Sequence, residues 1–300
     1  MSRARAPGKV VLSGAYAVLH GAPAIVTAVA RYVTVDTART ADLVTPEVRA
    51  ALGDGMPVPW FDASALREAE RKLGLGSSAA ILVATLYALA RDATPDASEA
   101  RLRSLIVGKA LVAHRAAQGG GSGVDVYASC LGGTLCYRSA PSGSSATSLG
   151  LPQSLMVELW TCPQSASTRE LIGAVKDLAQ RSTSDHERLM SAQAKAAEQA
   201  VRAAMADDGS AFVAALGAQH RALLELGHAA GVPIVTPQLV ELAPAAEAEG
   251  GVLLPAGAGG GDIALFVGPA PSTPALRSAL AQRAHHLLQV ELGAPGVSAS

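Results

Sequence analysis

Aromatic side chains are scarce in this chain of 300 residues: three Phe, five Tyr and two Trp, 3% of the whole. A core must therefore be assembled from Ala, Val, Leu and Ile. With 49% hydrophobic and 16% charged residues the material for one is ample, which excludes wholesale disorder. Cysteine is equally sparse. Cys130, Cys136 and Cys162 form no CxxC pair and cannot all be bonded to one another, so the expectation is a reduced, cytoplasmic protein whose thiols fill apolar positions. Positive charge is neither abundant nor clustered: the net charge is −1, and lysine occurs only at positions 9, 72, 109, 176 and 195. A surface that tracks nucleic-acid phosphates needs grouped cations, so no nucleic-acid partner is expected. No apolar run reaches the roughly 18 residues that span a bilayer. A start that resembles a signal peptide (Arg3, Arg5, then Ala28-Val29-Ala30) is broken up by Lys9, His20 and several glycines. The chain reads as soluble and unprocessed, with no membrane partner.

At roughly 150 residues per domain the length suggests two domains. A stretch rich in Ser, Gly and Pro, residues 139–154, is either a long hairpin loop or the link between two halves, which places the expected domains at 1–152 and 153–300. Strands are expected at 9–12, 24–35, in the turn and strand of 132–137, at 155–161, and at 263–267. Helices are expected after residue 80, at 99–117 with Ser98 as cap, at 124–131, and at 168–179, 185–205 and 209–229. A last helix is expected from Pro274 to about 289. Residues 36–60, with three prolines and two glycines, read as irregular.

Four features bear on chemistry. Gly74-Leu75-Gly76-Ser77-Ser78-Ala79 opens directly into a helix, where unpaired backbone N–H groups and the helix dipole suit an anion. It matches neither GxxxxGK[ST] nor GxGxxG. The same residues also read as a glycine turn with Ser as helix cap. Gly257-Ala258-Gly259-Gly260-Gly261-Asp262 is a second glycine run, either kept small so that something can approach its backbone or a flexible surface hairpin. Gln118 to Asp125 delivers one carboxylate to a helix start; Asp125 is then either a favourable first-turn acid or a group beside a phosphate site. Lys9, after Pro7-Gly8, is either a snorkelling strand residue or a cation aimed at a substrate oxygen. Paired His285 and His286, and His220 with His228, have no spacing that suits a metal site.

Ala6-Pro7-Gly8-Lys9, the 74–80 loop and the 257–262 loop, in this order and with Ser122-Gly123-Val124-Asp125 between, resemble the three signature motifs of the GHMP small-molecule kinases, a family that includes galactokinases, homoserine kinases, mevalonate kinases and phosphomevalonate kinases. Trp160-Thr161 with Ser165-Ala166-Ser167-Thr168, Lys72-Leu73 and Tyr16-Ala17-Val18 are most similar to the phosphomevalonate kinase branch; His20-Gly21 is more like the mevalonate kinases. The resemblance implies an α+β, two-lobed GHMP kinase fold: an N-terminal lobe like ribosomal protein S5 domain 2, a ferredoxin-like C-terminal lobe, and an active site in the cleft between them.

It also implies ATP and Mg2+ as cofactors and a small-molecule acceptor, expected to be phosphomevalonate, with mevalonate, another family acceptor or a catalytically weak nucleotide-binding regulator as alternatives. A homodimer is compatible with it. By resemblance Lys9 and Asp125 are catalytic and lie near each other. ATP is met by Lys72, Gly74, Leu75, Gly76, Ser77, Ser78 and Ala79, and Ser77 is a magnesium ligand. The acceptor is met by Tyr16, His20, Ser122, Gly123, Ser167, Thr168, Ala256, Gly257, Ala258 and Gly259. Extra cations for an acceptor phosphate are sought among Lys9, His114, Arg115, Lys109, Arg138 and Arg169, although residues such as Lys109 also suit a solvated helix face. Two departures stand out: Gly14-Ala15-Tyr16 replaces the family's Gly-Glu-Tyr or Gly-Glu-His, and Pro255-Ala256 replaces a common Ser.

Overall fold

In the computed structural model, which describes residues 1–68, 71–140, 143–165 and 167–300, the chain forms two compact units. The first gathers Met1–Val10, Val26–Leu135 and Val290–Ser300; the second gathers Val11–Ile25 and Cys136–Gln289. The expected boundary at 152/153 falls inside the second. Sheet and helix are combined in both units, as the α+β expectation requires.

The first unit holds most of β1 (Arg3–Ser13) and β2 (Pro23–Thr40), all of β3 (Pro59–Asp62), the start of β6 (Thr134–Arg138), and the short ribbon β4 (Arg67–Glu68) and β5 (Arg71–Lys72). β12 (Ser298–Ala299) adds antiparallel to β1, giving the order β12-β1-β2-β6, and β3 pairs with β2. Four helices accompany the sheet: α1 (Pro46–Leu52), α2 (Ser77–Ala93), α3 (Glu99–Gln118) and α4 (Val124–Leu131). α2 buries ten consecutive residues, Ala79 to Ala88, so it runs through the core and not along its surface. Small alanines alternate there with Ile81, Leu82, Val83 and Leu86, the packing solution open to a chain short of aromatics.

Local sequence sets the helix ends. Ser98 accepts the Arg101 N–H at the start of α3, and Gly119, in the left-handed region at φ 70°, ends it. α1 lies in the stretch expected to be irregular. Thr45 caps it by accepting the Val48 N–H and Pro46 occupies its first turn, so residues that read as breakers act as a start signal.

The second unit holds the antiparallel sheet β11-β8-β10-β9, formed by β11 (His286–Leu288), β8 (Met156–Thr161), β10 (Ile263–Gly268) and β9 (Val252–Pro255). Helices α5 (Thr168–Arg181), α6 (Thr183–Met205), α7 (Gly209–Ala230), α8 (Pro237–Ala248) and α9 (Pro274–Gln282) pack with it. The core of this unit joins Trp160 and Phe266 of the sheet to Leu171, Leu189, Leu223 and Leu239 of the helices. β7 (Ser145–Ser148) neighbours β6 in the sheet, so the hairpin reading of 139–154 holds, with 141–142 outside the described residues.

The expected last helix is shorter than expected. It stops at Gln282, Ala284 turns the chain with φ 57°, and His286–Leu288 pairs along β8. Among the described residues, no helix is long and apolar enough to cross a membrane.

Candidate active site

In the first unit three distant stretches of sequence meet. Lys9 N–H, on β1, donates to the Leu75 carbonyl over 2.8 Å, which ties the first motif to the second. Gly8 makes this approach possible: a Cβ there would stand 2.9 Å from the Leu75 oxygen and 2.7 Å from Leu66 Cδ2. The Lys9 stem then lies across Gly76, where a Cβ would be 2.9 Å from Cε and 3.0 Å from Cγ. Gly76 is the N-cap of α2, in the left-handed region at φ 76°, and offers no side chain to the first-turn amides. Those N–H groups carry the partial positive charge of a 17-residue helix and stand beside an ammonium stem. Ser77 and Ser78 are half-buried at the same end, while Leu75 and Ala79 are buried and can offer a ligand only main chain. Lys72 is exposed on β5.

Asp125 opens α4 and faces His114 of α3, with 3.2 Å between His114 Nε2 and Asp125 Oδ2. The histidine side chain is 8% exposed and the carboxylate 21%. Burial by itself would raise the Asp125 pKa. The His114 imidazolium, the Lys9 charge and the Val126 N–H outweigh it and hold the carboxyl at about 2, against an ordinary 3.8. Burial works to lower the His114 pKa, but Asp125 beside it, helped by Glu47 and opposed by Lys9, raises it overall. Lys9 and Asp125 are thus within electrostatic reach, as the resemblance implied. Arg115 donates to the carbonyls of Gly121 (3.2 Å) and Ser122 (3.0 Å), holding the glycine turn in front of Asp125. Ser122 Oγ accepts the Val124 N–H, and Gly123 is the left-handed N-cap of α4.

His114 and Arg115 were sought as cations for an acceptor phosphate. The structure instead places one on the candidate catalytic carboxylate and the other on loop carbonyls. Glu47, buried on α1 and accepting from Gln118 Nε2, escaped the sequence reading altogether. For the His114–Asp125 pair the available signal was the reversal at Gly119–Gly123, which folds the last turns of α3 back beside the first turn of α4; Glu47, on α1, had none.

In the second unit the third motif is differently employed. Tyr16 is buried at φ 59°, and its hydroxyl donates to the Ala258 carbonyl over 2.6 Å, so it supports the loop and keeps that hydroxyl away from solvent. Ala15, in place of the family's acid, is packed in the core of this unit. Loop amides are largely taken by the chain itself: Gly257 N–H by the Val11 carbonyl, Gly260 N–H by Ile234, Asp262 N–H by Gln164, and Ala256 N–H by Ile263. A Cβ at Gly259 would stand 2.2 Å from the Ile234 oxygen, and one at Gly261 2.7 Å from the Gln164 oxygen, whereas Gly257 is open.

Ser167 caps α5 by accepting the Glu170 N–H, and Thr168 is exposed beside it; Ala166 lies outside the described residues. His20 is exposed and edge-on to His186 at 5.3 Å between ring centroids. Arg138 Nη2 donates to both carboxylate oxygens of Glu198. Lys109 is solvent-facing, and Arg169 is exposed.

Comparison with known proteins bears on the fold. Residues 46–133 match the GHMP kinases N terminal domain. A Streptomyces phosphomevalonate kinase (strain CL190) is 29% identical over 333 aligned residues, covering 87% of this chain and 88% of that one. The crystal structure of the Streptococcus pneumoniae phosphomevalonate kinase in complex with phosphomevalonate and AMPPNP superposes with a TM-score of 0.77 at 19% identity, over 97% of this chain and all of that one. The fold is that of the GHMP kinases. Leishmania major mevalonate kinase in complex with R-mevalonate shares it as well, with a TM-score of 0.69 at 19% identity over 98% and 96% of the two chains.

The residues gathered here suit a nucleotide's phosphates: the Lys9 stem lies across Gly76, and the α2 amides lack a capping side chain. Among the described residues no group of three or more His, Cys, Asp or Glu side chains could cage a metal ion. Magnesium rarely needs such a cage; it is commonly held by one or two protein oxygens together with substrate phosphates, and the Ser77 hydroxyl suits that role.

Proposed function

We propose that the chain transfers the terminal phosphoryl group of ATP to phosphomevalonate, releasing ADP and diphosphomevalonate. The observation that carries this reading is the junction of the first two motifs: an ammonium, an uncapped helix N-terminus and an ionised carboxylate assembled in one unit from β1, α2 and α4. ATP supplies the phosphoryl group, and magnesium accompanying it offsets phosphate charge. The α2 amides with Ser77 and Ser78 hold the phosphates, and Lys9 balances negative charge gathering on the transferred group.

Burial opposes the Asp125 charge, but His114, Lys9 and the Val126 N–H outweigh it, so the carboxyl stays ionised near neutrality. A phosphomonoester acceptor brings an attacking oxygen that is already largely ionised, its second pKa being about 6. Asp125 then orients the acceptor and steadies Lys9. Similarity to the Streptomyces phosphomevalonate kinase supports the same acceptor.

ADP release measured against mevalonate, phosphomevalonate, homoserine and galactose tests the proposal. Phosphomevalonate should support turnover well above the others. Turnover with mevalonate alone would reverse the assignment, and ATP binding without turnover on any acceptor would favour a regulator.

A further inference from the structure

The pairing of His114 with Asp125 carries more than a structural contact, and its role in turnover rests on the kinase reading. His114 sits in the penultimate turn of α3 and is 6% exposed. The charged groups facing it come from three elements: Asp125 from α4, Glu47 from α1 and Lys9 from β1. α2, also packed on α3, carries Arg91 and Asp92 near its far end, where they pair with Glu99 and the Met1 amino group. Asp125, Glu47 and Lys9 therefore all lie within electrostatic reach of the His114 ring. Glu47 is 2% exposed, and one of its oxygens accepts from Gln118. The other, Oε2, and His114 Nδ1 are buried with no hydrogen-bond partner among the described residues. A buried imidazole paired with one carboxylate and within electrostatic reach of a second favours the charged ring.

We infer that His114 is a positioning residue for phosphoryl transfer, fixing the direction and charge of the Asp125 carboxylate from behind, with Glu47 as the second acidic neighbour of the imidazole. Asp125 has one oxygen, Oδ1, accepting the Val126 N–H and the other, Oδ2, on His114. Both are thus oriented from the protein side. Deprotonation of His114 leaves it a single-proton donor with no charge to hold Asp125, so turnover should fall on the alkaline side.

The test is the pH profile of kcat with ATP and phosphomevalonate for the wild type, His114→Gln and Glu47→Gln, together with the titration of the His114 ring followed by NMR in the wild type and in Asp125→Asn. His114→Gln should lower kcat by about tenfold or more, leave the KM for ATP within twofold, and remove the alkaline limb. Glu47→Gln should move that limb to lower pH while keeping most of the plateau rate. In Asp125→Asn the ring should titrate at lower pH than in the wild type.

A kcat for His114→Gln within threefold of the wild type, or an alkaline limb that survives unchanged in it, overturns the inference. If no acceptor is turned over, the kinase reading has failed, and the ring titration alone decides whether the charged pair exists. A His114 titration indifferent to Asp125→Asn then refutes the pairing on its own. Melting temperatures of the variants, expected within a few degrees of the wild type, separate positioning from loss of fold.

Discussion

Two glycine-rich loops of this chain look alike in sequence and are opposite in use. At Gly74–Ser78 the glycines leave the α2 amides uncapped and clear a path for the Lys9 stem. At Gly257–Asp262 four backbone N–H groups are bonded to the carbonyls of Val11, Ala256, Ile234 and Gln164, and two glycines exist because carbonyl oxygens of the same chain come too close for a Cβ. Composition cannot tell these apart. What an added methyl would strike, and where the amides point, can.

The sharpest way to break this contrast is Gly259→Ala. The new Cβ would meet the Ile234 carbonyl at 2.2 Å in a backbone at φ +79°, so a destabilisation of about 3 kcal/mol is expected, read by denaturant melts. An unperturbed melt would show that the loop is pliable and that its glycines serve something else.

Next in size is Asp125→Asn: ATP affinity should hold while turnover drops by ~100-fold as the acceptor loses the charge that orients it. The same variant tests the linkage. The Asp125 pKa is depressed in the fold, so its contribution is present above 3.8 and is lost as pH falls towards about 2. His114 is shifted the other way, so its contribution is full below about 6.5 and lost as pH rises through the raised value. Wild-type stability should therefore slope downward on both sides of that window by about 1–2 kcal/mol more than in the variant. Parallel stability profiles would remove the pair from the energetics.

Gly76→Ala is the mirror of the first test. Its Cβ strikes the flexible Lys9 side chain and not a carbonyl, so stability should fall by only about 1 kcal/mol while kcat/KM for ATP falls by about tenfold. A loss of fold with normal kinetics would reverse the assignment of the two loops. The smallest effect belongs to Ser167→Ala, which removes the α5 cap and should lower stability by about 1 kcal/mol with unchanged kinetics. A raised KM for the acceptor would instead return Ser167 to the binding residues.

Much of this architecture is legible in the chain's own residues. The Ser98 cap, the Gly119 stop and the Gly123-Val124 start mark their helices because each rests on a local rule. α1 was missed because Thr45-Pro46 both interrupts the preceding segment and starts a new helix. The end of α9 was missed because a β-pairing of His286–Leu288 with Thr161–Leu159 overrides helical spacing. At the site, Lys9, Ser77 and Asp125 stand out through the glycines around them. His114 and Glu47 do not, since their meaning comes from packing between α1, α3 and α4. The reasons for Gly259 and Gly261 lie in Ile234 and Gln164, remote in sequence and without any distinguishing chemistry.

Strand β12 has one more implication. Residues 290–300 complete the first unit: Ser298 and Ala299 pair with Arg5 and Ala4, and Ser300 N–H reaches the Arg3 carbonyl. Translation delivers those residues almost three hundred codons after their partners. While the ribosome is still decoding the second unit, the rim of β1 has no neighbour on that side, exposed to any chaperone or stray strand in the vicinity. A variant lacking residues 290–300 should consequently aggregate during synthesis even though every glycine loop is intact.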